Sequence, residues 1–189
     1  MKSEDAVRDL VRRIVDEAVQ EHSSGPAVPP VATPVERTVA VGADHGGYDL
    51  KEKLVAHLRD RGFQVTDCGT DSVSSVDYPD FARAVAELVR TGRCESGIIV
   101  DGAGIGSSMA ANKVPGIRAA LCYDLSSARN SREHNHANVL TLGAGLIGDG
   151  LARQIVDAWL ETPWGGGRHA RRVAKIDEIE NASFGTPER

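Results

Sequence analysis

No apolar run in this sequence approaches the ~20 residues that span a bilayer, so no membrane segment is expected. Cysteine is scarce. Cys68, Cys94 and Cys122 are odd in number and form no C-x-x-C pair, which fits a reducing compartment and gives no sign of a zinc site or a disulfide framework. Basic charge is not in excess: 22 Lys and Arg stand against 27 Asp and Glu, a net charge of −5. That argues against nucleic acid or an anionic membrane as the main partner, although one local basic cluster can still hold a small anion. The first residues, MKSEDAVRDLVRRIV, lack the apolar core of a signal peptide, and a cytoplasmic protein is expected.

What is present divides by composition. Within residues 1–22, Val7, Leu10, Val11, Ile14, Val15 and Ala18 recur at helical spacing, Ser3 suits an N-cap, and Glu4 and Asp5 suit the positive end of a helix dipole. This detached amphipathic helix has one apolar stripe and nothing local to bury it against. Residues 23–36 hold Pro26, Pro29, Pro30 and Pro34 and predict an extended, semi-rigid spacer. A domain over 37–182 and a short flexible tail over 183–189 complete the chain.

In that domain short apolar runs alternate with amphipathic stretches. Strands are expected at Thr38–Gly42, within FQVTDCG, and at Gly97–Gly102, Ile117–Cys122 and Val139–Gly143. Helices are expected at Asp49–Arg61, Tyr78–Arg90, from about Gly106, near Ser126–Asn135, and at Gly150–Leu160 and Ala170–Ile179. Strands this apolar, each followed by a helix, predict an α/β fold: a Rossmann-like, doubly wound, parallel five-stranded sheet covered on both faces.

Ligands of open parallel sheets bind at the carboxyl ends of the strands. Gly42-Ala43-Asp44-His45-Gly46-Gly47 follows strand one, where Asp44 and His45 read equally as ligand groups or as a helix cap and a solvated histidine. Asp101 to Ser108, with Gly102, Gly104 and Gly106, follows strand three. Its glycines let backbone N–H groups approach an anion, but glycine turns are also common for structural reasons. The loop is neither a dinucleotide fingerprint nor a Walker A loop, since the spacing and the Lys-Ser/Thr pair are missing. Arg129, Arg132, His134 and His136 cluster near the end of the fourth helix, which a solvated helix end would also explain. Gly165 to Arg172 opens a helix with Arg168, Arg171 and Arg172, charges that oppose the helix dipole and so suggest a phosphate or carboxylate nearby.

GADHGGYDLKEKL, VDYPDFA, GAGIGSSMAANK, GIRAALC, REHNHANVLTLGA and GGRHARRV resemble, in order, type B ribose-5-phosphate isomerase, a family that includes the galactose-6-phosphate isomerase subunits. The resemblance covers about Thr38 to Ile179. It implies a homodimer or homotetramer with active sites at the subunit interface, no metal and no organic cofactor, and a phosphorylated sugar as substrate. The family's reaction passes through an enediolate, which needs an acid for ring opening, a base for a carbon-bound proton and donors for the oxyanion. By position, Asp44 and His45 would hold sugar hydroxyls and phosphate. The N–H groups of Gly102, Gly104 and Gly106 would stabilise the oxyanion. His134 would assist ring opening, Asn135 would bind sugar, Arg168 and Arg172 would grip phosphate, and Tyr78 would line the pocket.

Four departures stand out. Where many relatives begin the strand-three loop Cys-Gly-Thr-Gly, with the cysteine as base, this chain has Asp101-Gly102-Ala103-Gly104. Asp101 is the candidate base, the bland alternative being a helix cap. Ser107, a candidate substrate contact, stands where other relatives have a glutamate, and Gly145 where many have a phosphate-contacting arginine. Ribose 5-phosphate is therefore the expected substrate, with a hexose 6-phosphate or a non-catalytic sugar-phosphate binding role as alternatives. The helix on its proline-rich tether resembles the encapsulation peptides that recruit enzymes to bacterial microcompartment shells. It implies a shell protein as partner through residues 3–22 and a place in the microcompartment lumen, docking on its own domain or self-association being the alternatives.

Overall fold

The computed structural model describes residues 37–184, with Arg12 and Arg13 before them. Apart from those two helical arginines, the expected N-terminal helix and the spacer lie outside the described residues, as do residues 185–189 of the tail.

Five strands form, all where the apolar runs predict them: β1 Thr38–Ala43, β2 Gln64–Asp67, β3 Ser96–Asp101, β4 Ala119–Leu121 and β5 Val139–Gly143. They pair in parallel in the order β2-β1-β3-β5-β4. Every residue of β3 is buried, as a central strand covered on both faces requires. One face carries α1 (Tyr48–Asp60) and α5 (Asp149–Glu161), and there Leu54, Leu58, Ile155 and Trp159 pack on Val41, Ile98 and Leu140. The other carries α2 (Tyr78–Arg90) and α3 (Ile105–Ala111), and there Ala82, Val85 and Leu88 pack on Ala40, Ile99 and Val139. Each buried Val, Leu or Ile among them contributes about 1.5–3 kcal/mol.

Two boundaries differ from expectation for identifiable reasons. The fourth strand was expected over Ile117–Cys122 but is confined to Ala119–Leu121. Its edge is intercepted by side chains, since Asn138 Oδ1 accepts from the Arg118 N–H and Asn112 Oδ1 from that of Ala119, both at 2.8 Å. The last helix, α6, runs from Gly167 to Phe184, longer at both ends than its apolar pattern. Its later turns are pinned from outside by Arg118 to Asp177 at 3.2 Å, and by the Gly116 N–H donating to the Glu180 carboxylate at 2.9 Å.

The winding places the site. From β1 the chain passes to β2 on one side and then to β3 on the other, leaving a crevice at the carboxyl ends of β1 and β3. Helix α4 (Leu125–Glu133) leaves the carboxyl end of β4 and returns about 13 Å along the sheet before β5 starts. Its last residues therefore sit at the opposite, amino-terminal end. The start of α6 lies beside them, as the Gly165 N–H donates to Glu133 O at 3.0 Å.

Candidate active site

At the carboxyl end of β1, Asp44 is only 7% exposed. Its Oδ1 accepts from the N–H groups of Gly46 at 2.9 Å and Gly47 at 3.1 Å, while none of the described residues donates to Oδ2. Burial pushes this carboxyl above its usual range and the Asp101 charge adds to the rise, against the opposing pull of the Gly47 bond and His45. His45 is oriented through Nδ1, which lies 3.2 Å from both the carbonyl oxygen and the N–H of Val76.

Across the crevice Asp101, 5% exposed, turns its carboxylate into its own loop. Oδ1 accepts from the Ala103 N–H at 2.8 Å and from that of Gly104. Oδ2 accepts from the Ser107 N–H at 3.0 Å and from Ser107 Oγ at 2.5 Å. Four donors occupy the four lone-pair sites of a carboxylate. Gly104 has φ +74, and a Cβ there would come 2.5 Å from Leu121 Cδ1 and 2.9 Å from the Leu142 carbonyl carbon, so both the turn and the close approach require glycine. Of the three expected oxyanion donors, Gly104 thus spends its N–H on Asp101, while among the described residues nothing accepts from Gly102 or Gly106. Tyr78 lies against this loop, its ring within 3 Å of the point a Gly106 Cβ would occupy.

The second group gathers at the amino-terminal end of the sheet. His134 caps α4, and its ring stacks on His169 at 4.2 Å between centroids. Asn130 Nδ2 donates to His134 Nδ1 at 2.9 Å, which places the proton of a neutral ring on Nε2, 3.8 Å from Glu133 Oε1. Slight burial, then His134, Arg168 and Arg172, depress His169. Asn135, Arg168 and Arg172 are exposed beside this pair, and no acidic residue lies in the first turn of α6. The predicted site residues therefore fall into two groups, Asp44, His45, Tyr78 and Asp101–Ser107 at one end of the sheet, His134, Asn135, Arg168 and Arg172 at the other.

The Ribose/Galactose Isomerase family model matches residues 39–176. The chain belongs to that family. It is 48% identical to ribose-5-phosphate isomerase B of Escherichia coli strain K12 over 76% of this chain and 97% of the relative. It is 41% identical to the D-erythrulose-4-phosphate isomerase of Pectobacterium atrosepticum over 76% of this chain and 95% of that one. Its fold superposes on ribose-5-phosphate isomerase B of Clostridium thermocellum with a TM-score of 0.77 and 53% identity, covering 77% and 99% of the two chains.

Against the family pattern, the small residue at Gly145 has a structural reason in this chain. Its N–H donates to Gly102 O at 3.0 Å, and a Cβ would lie 3.0 Å from the same oxygen. Two members of the site escaped the sequence reading. His169 lies inside the GGRHARRV run, one residue from Arg168, and only the return of α4 brings it against His134. Tyr123 gave no sequence signal. Its hydroxyl donates to Ala103 O at 2.6 Å, tying the end of β4 to the β3 loop. Conversely, Arg132 is structural, donating to Ala137 O at 2.6 Å and lying 4.7 Å from the Trp159 ring centre.

Asp101 stands at the position where the family resemblance puts a cysteine in many relatives. Cys68, Cys94 and Cys122 are all buried, and burial raises each thiol, Cys68 to about 12. Iodoacetamide at pH 8 is expected to leave the folded protein unlabelled and its activity unchanged, measured by intact mass and turnover. Prompt inactivation on labelling of one cysteine would contradict this.

Proposed function

We propose that the chain interconverts an aldose phosphate and a ketose phosphate, ribose 5-phosphate and ribulose 5-phosphate being the first pair to test. The observation that carries this reading is the crevice itself. Asp44 is a buried carboxylate whose Oδ2 takes no donor among the described residues, and the point a Gly46 Cβ would occupy lies 3.4 Å from its Oδ1 and 3.3 Å from the Gly102 nitrogen, whose N–H is likewise unclaimed there, in a chain of this family. In this reading Arg168 and Arg172 hold the phosphate, His45 and Asn135 hold sugar hydroxyls, and His134 assists ring opening by donating a hydrogen bond from Nε2–H to the ring oxygen.

The two groups cannot meet within one chain. The reading therefore includes a second copy, whose His134 group closes over the Asp44–Asp101 crevice of the first, in a dimer or a larger assembly. Exposed apolar residues near both groups support it: Ile105, Met109 and Leu146 around the β3 loop, and Ile176 and Ile179 on α6. A different sugar phosphate is the second reading, favoured by Asp101, Ala103 and Gly145 and by the tetrose-phosphate isomerase among the relatives.

Residues 1–36 are proposed to act as a targeting or association element that recruits the enzyme to a microcompartment shell, because their apolar stripe has no partner in sequence and four prolines separate it from the domain. Turnover measured over pentose, tetrose and hexose phosphates, for the full chain and for a variant lacking residues 1–36, tests both ideas. Equal turnover of ribose 5-phosphate by the two proteins is expected. Binding without turnover across the panel would mean a sugar-phosphate binding protein. Loss of activity on truncation would place the segment on its own oligomer.

A further inference from the structure

We propose that Asp44, and not Asp101, is the base that moves the carbon-bound proton, Asp101 being the group that holds the glycine loop in shape. The inference rests on the isomerase reading and adds to it the acceptor of the proton.

The two carboxylates differ in what they have left to offer. All four acceptor positions of Asp101 are filled by Ala103, Gly104 and Ser107, from the residues of one tight turn. A proton could reach it only if one of those bonds broke and the loop rearranged. Among the described residues Asp44 bonds only through Oδ1, to Gly46 and Gly47, which leaves Oδ2 with both lone pairs. Position agrees. Gly46 lies between the two loops, and the point its Cβ would occupy is 3.4 Å from Asp44 Oδ1 and 3.3 Å from Gly102 N. Asp44 Oδ1 and the Gly102 nitrogen are therefore no more than about 7 Å apart, close enough for one two-carbon enediolate to reach both groups at about 3 Å from base to carbon and from donor to oxygen. Electrostatics agree as well, since burial and the fixed charge of Asp101 raise the proton affinity of Asp44.

The step balances without any other reagent. Asp44 Oδ2 takes the proton from C2 of the open aldose, and the C–H electron pair becomes the C1–C2 double bond as charge moves onto O1 beside the Gly102 N–H. The O2 proton passes to O1. Asp44 then returns its proton to C1 as the carbonyl forms at C2.

Asp44→Asn tests this cleanly, because its amide oxygen can still accept from Gly46 and Gly47. With [2-²H]ribose 5-phosphate as substrate, loss of deuterium to solvent and kcat should fall together by about 10²–10⁴-fold. Affinity for ribitol 5-phosphate, which cannot isomerise, should change less than tenfold. If Asp44→Asn fails to fold, Asp44→Ser, which keeps an acceptor for the same N–H groups, takes its place with the same expectation. Exchange above a tenth of wild type at saturating substrate would overturn the assignment. So would a loss confined to KM and ribitol 5-phosphate affinity, which would make Asp44 a binding group only. A wild-type protein that turns over no sugar phosphate would remove the isomerase reading itself.

Discussion

Gly47→Ala is expected to destabilise the domain by about 3 kcal/mol or more, at the upper end of overpacking. The added Cβ would lie 2.1 Å from Val100 O and 2.5 Å from its carbonyl carbon. Those atoms belong to β3, which is hydrogen-bonded to β1 and β5 and buried on both faces, so neither neighbour can give way. Space is what fails, since Gly47 has an ordinary φ of −101. Gly62→Ala is the matched control. Gly62 has φ +81 and open space around it, so only the left-handed backbone cost of about 1–2 kcal/mol applies. Urea unfolding of both variants checks this. Equal losses, or a Gly47→Ala protein as stable as wild type, would show that the β1 loop does not sit against β3 as described.

Asp101→Asn separates the two roles open to that residue. An amide can turn its NH₂ toward Ser107, whose hydroxyl reverses to accept from it, but the Ser107 N–H then loses its acceptor; the other orientation would strand the N–H groups of both Ala103 and Gly104. Stranding even that one buried donor costs about 1–3 kcal/mol. The variant should therefore melt several degrees lower and lose turnover because its loop is no longer shaped. Unchanged stability with turnover lost and ribitol 5-phosphate binding intact would instead make Asp101 the base, as its place in the family pattern suggests.

The fold was legible because its signals are local. Runs such as TVAVG and GIIVDG name buried parallel strands by composition alone, and the helix starting at Tyr78 follows an apolar period that extends to Arg90 unaided. Where tertiary contacts override local pattern, the sequence was silent. Asn112 and Asn138 trim β4, and Glu180 and Asp177 hold α6 beyond its apolar turns. The site was half legible. Motifs named Asp44, Asp101, His134 and Arg172, but two facts depend on three dimensions. One is the turning of Asp101 into its own loop, which uses donors up to six residues away. The other is the return of α4 along the sheet, which carries His134 to the far end from Asp44 and brings it to His169.

The central claim, one active site built from opposite ends of two copies of the chain, is tested most directly by mixing two inactive variants. Asp44→Asn disables the crevice group and His134→Ala the amino-terminal group. Alone, each should retain less than about 1% of wild-type turnover. After co-refolding in equal amounts, half of the dimers carry one subunit of each kind. In such a dimer one site takes both intact groups and the other takes both defects, so about a quarter of wild-type turnover should return. If the mixture stays as inactive as its components while the two chains form mixed oligomers, the two groups do not share a site across an interface, and the account is wrong.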